Sequence, residues 1–479
     1  MPLSTKKVAA GFGWVMFSNT LNRVLGFGTT LLLAKLLTPE HFGLVAAAET
    51  MIAILKIFRD LGIGQALIYT PRSDAVTHDT AFVMTLVLSV VLFVVAGISA
   101  PFMAAFLETP SLTPVLIVMS SSIIALTVRS VPDALIRKDI AFQKMVAPDL
   151  LAVLIASVVG IVLALNDYGV WSLVIRTLVF YWLGTFFLWY VCDYRPKLRF
   201  DRAIALELFQ YSKFIVGSAI LFMALYNVDR LFISKLEGMV ALGIYTLAMG
   251  LANMPVSEFG HLVCRVIFPV FSKVKDDAAE LRKYLVQAMT IESLVTVPMA
   301  AGLIVYGPLL TTHIFEDKWQ GLGPALQVLT LAALFRALSV ILHEFLRAVG
   351  DPKTVQTMVA FRLVMLCAGG WHSIHYGGLL GFCWLMAGSN LLALIVEMLI
   401  VRRRVGVSVI HMVSVSVLPT LLSLLAISGS YWLMLHMEPA PSLLLTLVFA
   451  ALSAATYFGL FALIDRKRLR GLIAELRGK

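Results

Sequence analysis

Two apolar runs between residues 11 and 70 place the strongest constraint on how this chain can fold. Each run is long enough to cross a bilayer, because roughly 20 apolar residues at 1.5 Å rise per residue span the hydrocarbon core. Both runs nevertheless carry polar or charged side chains that form a stripe at helical spacing: Asn22, Arg23, Glu49, Lys56 and Asp60. Arg59 lies beside this stripe. Charges inside a span are costly in lipid, so we expect these side chains to face a bundle interior or a water-filled cavity.

Apolar segments recur from one end of the chain to the other. The 479 residues are 60% hydrophobic and 14% charged, whereas a soluble domain is about 45–50% apolar and 25% charged. The composition therefore predicts an all-α polytopic membrane protein with about fourteen transmembrane helices. The predicted helices lie near residues 11–35, 43–70, 80–106, 114–136, 146–165, 169–192, 212–235, 240–271, 284–306, 324–347, 354–374, 378–401, 411–436 and 442–464.

The positions of the basic residues predict the orientation. Of the 38 Lys and Arg residues, about 26 fall in alternate loops and at the two termini, and about three fall on the other side. The positive-inside rule makes the basic side cytoplasmic, with both termini there. It also explains the net charge of +10 without a nucleic-acid partner. The loops on the opposite side are too short for an extracytoplasmic catalytic domain.

An internal repeat organises the predicted helices. The segment 35–44 resembles the segment 235–244, about 200 residues later, and Pro114 corresponds to Pro324 with a shift of about 210. Helices 1–6 thus resemble helices 7–12 in the same orientation, and transporters built this way place the substrate between the halves. We predict an N-terminal lobe, a cytoplasmic amphipathic linker, a C-terminal lobe, and two final helices with a basic tail: 1–192, 193–213, 214–401 and 402–479.

The second repeat carries polar stripes like those of the first. Asp229 and Arg230 lie in one predicted helix, and Asn253, His261 and Arg265 lie in the next at multiples of four residues, which places them on one helical face. We expect these residues to line the same interior. The alternative is that the charges pair with one another and only hold helices together, and the near balance of basic and acidic residues leaves both interpretations open.

The sequence contains little that indicates enzyme chemistry. No set of nucleophile, base and orienting group stands out, and no nucleotide-binding loop is present, so we expect neither an enzyme nor a bound cofactor. His372 and His375 lie at a helix end without a third ligand, which disfavours a metal site. The four cysteines have no paired spacing, so we expect them to be reduced.

Several short segments in a defined order carry a family resemblance over about residues 10–360. They include AKLLTPEHFG at 34–43, FRDLGIGQALI at 58–68, GVWSLV at 169–174, YRPKL at 194–198 and DRLFI at 229–233. With these segments the chain resembles the bacterial polysaccharide transporter family. That family comprises the O-antigen and exopolysaccharide flippases of the multidrug/oligosaccharidyl-lipid/polysaccharide exporter superfamily.

This resemblance implies two six-helix lobes forming a V around a cavity that opens alternately to each side, with two additional C-terminal helices. It implies that an oligosaccharide linked to undecaprenyl diphosphate moves from the cytoplasmic to the outer leaflet of the bacterial inner membrane. The product would be O-antigen, capsule or exopolysaccharide, with membrane lipids, a polymerase and other assembly proteins as partners. A cation-coupled multidrug exporter of the same superfamily and a membrane glycosyltransferase or ligase are the alternatives.

The candidate site residues divide into two groups. The expected contacts of the sugar and diphosphate are Asn22, Arg23, Lys56, Arg59, Arg230, Asn253, His261 and Arg265, arginine being suited to bidentate phosphate binding. Three acidic residues could instead couple transport to a proton or sodium gradient: Glu49, Asp60 and Asp229.

Overall fold

The computed structural model describes the backbone of residues 5–60, 63–64, 67, 74–139, 141–437 and 442–464, and most of their side chains. This part of the chain contains thirteen α-helices and a 3-10 helix, Glu316–Trp319. The helices are α1 Thr5–Leu36, α2 Pro39–Asp60, α3 Ala75–Phe106, α4 Leu112–Lys138, α5 Gln143–Leu165, α6 Val170–Val191, α7 Arg202–Leu236, α8 Gly238–Lys273, α9 Ala278–Phe315, α10 Leu322–Ala348, α11 Pro352–Val405, α12 Val409–Met437 and α13 Leu443–Ile464.

The predicted all-α membrane architecture is confirmed. Within the described residues, ten helices are long and apolar enough to span a membrane, and the total of about fourteen spans stays a prediction. The predicted helices at 354–374 and 378–401 are the two arms of α11. Gly378 separates the arms with φ 56° and ψ −150°, a left-handed backbone conformation that glycine adopts without strain.

The chain divides into two compact units, Met1–Gly243 and Ile244–Lys479. The predicted lobe boundaries around residues 193–213 stay a prediction. In the first unit, residues 202–213 form the first turns of a continuous α7 rather than a separate surface helix. Asp201 caps this helix by accepting hydrogen bonds from the backbone N–H groups of Ala203 and Ile204, at 2.8 and 3.1 Å. No glycine or proline interrupts the helix before Gly217.

The α5 helix of the first unit packs through a ladder of small residues. Its buried residues recur every four positions: Pro148, Ala152, Ala156, Gly160 and Ala164. Small side chains let membrane helices approach closely, where dispersion and interhelical hydrogen bonds stabilise the packing. This face of α5 packs against α1 and α6. Such packing holds α1, α5 and α6 together around any polar group that they enclose.

A network of hydrogen bonds joins the segment after α6 to the start of α3 in the first unit. Asp79 of α3 is 1% exposed and accepts hydrogen bonds from the Tyr194 hydroxyl at 2.8 Å and the Lys197 N–H at 3.0 Å. Burial, together with the hydrogen bond to Asp79, raises the pKa of Tyr194 above its ordinary value, so the phenol remains a donor. The segment between α6 and α7 is therefore tied to the start of α3.

The two arms of α11 form an antiparallel hairpin in the second unit. A methyl group added at Gly369 would lie 2.7 Å from Leu385, and one added at Gly381 would lie 2.1 Å from the Ser373 carbonyl oxygen. The paired positions approach one another in sequence toward Gly378, as in a hairpin. At Gly381 the contact is between backbones, and an approach this close requires glycine. The glycines thus fix how residues on the two arms face each other.

Buried hydroxyl groups hold α12 and α13 against α9 in the second unit. The Tyr306 hydroxyl of α9 lies 2.9 Å from Ser430 Oγ and 2.8 Å from Ser453 Oγ. The Tyr457 hydroxyl of α13 donates a hydrogen bond to the Leu294 carbonyl of α9 at 3.0 Å. Polar groups buried among apolar side chains are costly unless they are hydrogen-bonded, so these contacts specify one arrangement of the last two helices.

Candidate functional site

Polar side chains of α2 and α6 in the first unit form a region that we call the α2–α6 seam: Glu49, Lys56, Arg176 and Tyr181. Lys56 of α2, predicted to contact substrate, has its Nζ atom 5.0 Å from the centre of the Tyr181 ring of α6. This is a cation–π geometry, which stabilises a cation that has left bulk water. The seam places a positive charge and an aromatic face side by side within an apolar bundle.

Arg176 occupies the same seam, seven positions into α6. A methyl group added at Gly160 of α5 would lie 2.9 Å from Cβ of Arg176, so the aliphatic stem packs directly on that glycine. The guanidinium Nη2 donates a hydrogen bond of 3.4 Å to the Gly26 carbonyl of α1. The carboxylate of Glu49, on α2, attracts the guanidinium electrostatically. Arg176 therefore lies where α1, α2, α5 and α6 meet.

A second arginine of the first unit has a directly bonded acidic partner. Arg129 of α4 donates from Nη2 to the Asp149 carboxylate of α5 at 2.6 Å. The Arg129 guanidinium also lies close to α6, because a methyl group at Gly184 would be 2.9 Å from its Nη1. The ion pair thus joins α4 to α5 beside α6, with the charges neutralised where they lie.

For the remaining predicted residues of the first unit, the described hydrogen bonds lie within a single helix. Asn22 donates a hydrogen bond to Ser18 at 3.4 Å, and Arg23 is exposed on α1. Asp229 of α7 is buried and accepts a hydrogen bond from the Arg230 backbone N–H at 2.8 Å, while Arg230 itself is half-buried. The side chains of Arg59 and Asp60 lie outside the described part of the structure.

In the second unit, Asn253 is the predicted residue whose contacts are described. Its Oδ1 accepts a hydrogen bond from Arg336 Nη2 of α10 at 2.5 Å, which joins α8 to α10. The side chains of His261 and Arg265 lie outside the described part. The structure leaves the roles of all these residues in substrate binding or ion coupling as predictions.

Two buried carboxyl groups of the second unit were not among the predicted site residues. Glu397 of the second α11 arm is 0% exposed and accepts hydrogen bonds from Arg362 at 3.0 Å and His343 at 2.9 Å. Glu292 of α9 is also 0% exposed, yet both carboxyl oxygens lack a hydrogen-bond partner in the described part of the chain. A methyl group at Gly260 of α8 would lie 2.8 Å from one of these oxygens.

Sequence reasoning missed several of these charges because each stands alone in its span. The predicted site residues belong to stripes of several polar residues, whereas four of these charges are isolated within apolar runs: Arg176, Glu292, Arg362 and Glu397. The signal that would have found them is the single charge itself, since one ionisable residue in a span is already costly and needs a partner or a function.

The described part of the chain contains no group of three or more His, Cys, Asp and Glu side chains arranged to hold a metal. The four cysteines are free. The polar groups described in the spans are guanidinium, ammonium, carboxylate, imidazole, amide and hydroxyl groups. Such groups bind ligands through hydrogen bonds and charge.

Comparison with known proteins identifies a family and several relatives that this chain resembles. Residues 32–324 match the family described as "Polysaccharide biosynthesis protein". The chain is 24% identical to the succinoglycan biosynthesis transport protein ExoT of Rhizobium meliloti (strain 1021), over 100% of this chain and 97% of that protein. It is also 24% identical to the lipopolysaccharide biosynthesis protein WzxC of Escherichia coli (strain K12), over 72% of this chain and 70% of that protein.

The fold resembles a solved structure over nearly its whole length. The lipid II flippase MurJ, in an inward closed conformation, superposes with a TM-score of 0.77 at 14% identity, covering 95% of this chain and 99% of that chain. At this identity the likeness concerns the fold. Since the family match covers more than half of the chain, this protein belongs to the polysaccharide biosynthesis protein family of multi-pass membrane transporters.

Proposed function

We propose that this protein is a flippase, not an enzyme, and that it moves lipid-linked oligosaccharides across the bacterial cytoplasmic membrane for surface polysaccharide synthesis. The observation that carries the proposal is similarity along the entire chain to a succinoglycan biosynthesis transport protein. The fold it shares with a lipid II flippase supports the same conclusion. The expected substrate carries its oligosaccharide on undecaprenyl diphosphate.

The difficulty of moving a polar headgroup through the bilayer explains why charged side chains lie within the spans. Sugar hydroxyls and a diphosphate cannot enter hydrocarbon unaided, since each unsatisfied polar group costs several kcal/mol there. A transporter must replace their water with protein donors, acceptors and cations while the prenyl chain remains in lipid. The α2–α6 seam supplies such groups, with Lys56 against Tyr181 and Arg176 near Glu49.

The finer assignments belong to the same proposal. Arg23, Lys56 and Arg230 contact the diphosphate, for which their positive charge is suited. A proton or sodium gradient drives the cycle, with Asp60 and Asp229 as the carboxyl groups that bind the ion. Both termini face the cytoplasm, as the basic loops indicate, and a polymerase with other assembly proteins receives the product on the outer side.

A deletion strain provides the test of the proposed function. Without the flippase, the lipid-linked repeat unit should accumulate in the inner leaflet and surface polysaccharide should disappear, which can be measured by extracting the lipid and testing its accessibility from each side. Normal polysaccharide in the deletion strain, with no accumulation, would contradict the proposal.

Variants then locate the headgroup contacts. Arg23→Ala and Arg230→Ala should abolish surface polysaccharide while the protein still inserts into the membrane. Lys144→Ala is the matched control, because it removes a cation whose pair with Asp193, at 3.3 Å, is solvent-exposed. If both arginine variants export normally, these residues do not bind the diphosphate.

A further inference from the structure

The Arg176 guanidinium is incompletely bonded for a charge inside a helix bundle. It can donate five hydrogen bonds, yet its one hydrogen bond to the described residues is the 3.4 Å contact with the Gly26 carbonyl. Its stem is fixed by packing on Gly160, so the charged end has a defined position. The side chain is half-buried rather than fully enclosed.

Glu49 lies at the level of this arginine but forms no ion pair with it. The α2 and α6 helices run side by side in the same direction, because a methyl group added at Gly169 would lie 3.1 Å from His41 of α2 and Lys56 lies over Tyr181. Glu49 and Arg176 lie about midway between these two contacts. Among the described residues, no ion pair within 4.0 Å joins the two side chains, although the carboxylate attracts the guanidinium. Glu49 also accepts no hydrogen bond from any described residue. Both groups therefore keep unused hydrogen-bonding capacity toward each other.

The Arg129–Asp149 pair shows what a closed contact in the same unit looks like. Its donor and acceptor are 2.6 Å apart, and each charge directly satisfies the other. Two opposite charges held in a bundle with a gap between them gain less from each other, and the gap favours a group that bonds to both. The open pair is thus arranged for a third component.

The two charges together restrict the chemistry of that component. An anion such as phosphate would be attracted by Arg176 but repelled by Glu49, and a cation would be repelled by Arg176. A neutral group that both donates and accepts is favoured on both sides. A sugar hydroxyl donates its O–H to the carboxylate and accepts from the guanidinium through its lone pairs, and neighbouring hydroxyls can do both at once.

We propose that Glu49 and Arg176 form a binding subsite for sugar hydroxyls of the transported oligosaccharide. The proposal rests on the flippase function and assigns Glu49 to the sugar instead of to ion coupling. Lys56 lies seven residues farther along α2, about 10 Å at 1.5 Å per residue. A headgroup along the seam would place a sugar at Glu49 and Arg176 and its diphosphate toward Lys56.

Binding to the full-length protein in lipid nanodiscs tests this assignment. The two probes are undecaprenyl diphosphate alone and the undecaprenyl-diphosphate-linked oligosaccharide extracted from the deletion strain. The variants are Glu49→Gln, which preserves shape, and Arg176→Met, which keeps an apolar stem against Gly160. Lys144→Met is the matched control, and thermal unfolding confirms that each variant is folded.

The expected result is a selective loss. Each variant should reduce the preference for the sugar-bearing probe over the bare diphosphate by about tenfold, the size expected from one charge-assisted hydrogen bond. The double variant should lose little more than either single one, since both residues hold the same hydroxyls. Binding of bare undecaprenyl diphosphate should stay unchanged, as should both affinities in the control.

Other outcomes would overturn the inference. Equal weakening of both probes would mean that the pair only supports the bundle, and an unchanged preference would mean that the gap holds nothing more than water. Failure of the unaltered protein to bind either probe would contradict the proposed function itself, and that result is distinct from a variant-specific one.

Discussion

The two units each place a glutamate near an arginine within their helices, but the two arrangements differ. In the second unit, Glu397 is fully buried and lies within 3.0 Å of both Arg362 and His343. In the first unit, Glu49 is half-buried and no described residue lies in ion-pair contact with it. The Glu397 carboxylate is therefore held in direct contact by α10 and by the other arm of α11, while the Glu49 carboxylate lies near its arginine without such a contact.

The difference separates charges that maintain the fold from charges available to a ligand. A buried ion pair contributes little net stability when compared with apolar packing, but removing one partner leaves an uncompensated buried charge. A ligand would have to break the Glu397 contacts before binding there. The Glu49–Arg176 pair requires no such step. A charged residue within a span is therefore interpretable only together with its bonding partners.

Removal of the Glu397 carboxylate should have the largest effect on stability. Glu397→Ala leaves Arg362, which is 5% exposed, without its acidic partner, and we expect a loss of about 3–5 kcal/mol in the free energy of unfolding or a failure to accumulate in membranes. Thermal unfolding in detergent and membrane yield measure the effect. Glu344→Ala is the control, because its i,i+3 pair with Arg347 is partly exposed and should be worth about 1 kcal/mol or less. Equal stability of the two variants would refute a structural role for the Glu397 cluster.

The α11 hairpin offers a second way to disturb the same cluster. Gly381→Ala would place a methyl group 2.1 Å from the Ser373 carbonyl and push apart the arms that carry Arg362 and Glu397. Overpacking of this kind costs about 1–3 kcal/mol. Gly388→Ala is matched on the same arm, where an added methyl group meets nothing within 4 Å, and should be close to neutral. Thermal unfolding of the two alanine variants decides whether this close approach is required.

Substitution of Glu49, in the Glu49–Arg176 pair, should affect export more than stability. Glu49→Gln removes a charge that lacks ion-pair contact with any described residue, so we expect a change of about 1 kcal/mol or less in unfolding free energy together with a clear loss of polysaccharide export. Export and thermal stability measured on the same variant separate the two effects. A stability loss as large as that of Glu397→Ala would place Glu49 among the structural charges.

Much of the fold could be predicted from the sequence because hydrophobic length and turn residues are local properties. The predicted helix at 324–347 corresponds to Leu322–Ala348, and the predicted break between residues 374 and 378 corresponds to the non-helical Gly378. The continuity of α7 through residues 202–213 was missed, since amphipathic composition alone does not show where a helix ends. The polar character of α2 was predicted, and the contact of Lys56 with the Tyr181 ring places this residue beside α6.

The pairing of charges could not be predicted, because it depends on how helices far apart in sequence meet. Arg176 and Glu49 are 127 positions apart, and nothing local to either residue identifies the other. The same holds for Glu397, whose two partners lie on α10 and on the other arm of α11. Only the arrangement in space distinguishes a carboxylate in direct ion-pair contact from one without such a contact.

The smallest effect is expected where the same two arms of α11 meet at the surface. Asp351 caps the first arm by accepting from Thr354, and Arg404 of the second arm donates to it at 2.7 Å. The Thr354 hydroxyl is the largest cause that lowers the pKa of Asp351 below its ordinary 3.8, and Arg404 contributes less. A depressed carboxyl pKa gives stability that is present above that ordinary value and is lost as pH falls through the folded-state pKa.

Arg404→Ala, at an exposed position, should therefore change the unfolding free energy by only about 0.5 kcal/mol at neutral pH. This variant should retain most of the acid-dependent loss of stability below about pH 4. Asp351→Asn should remove that acid dependence, and thermal unfolding measured from pH 3 to pH 7 would contradict the assignment if Arg404→Ala removed it instead.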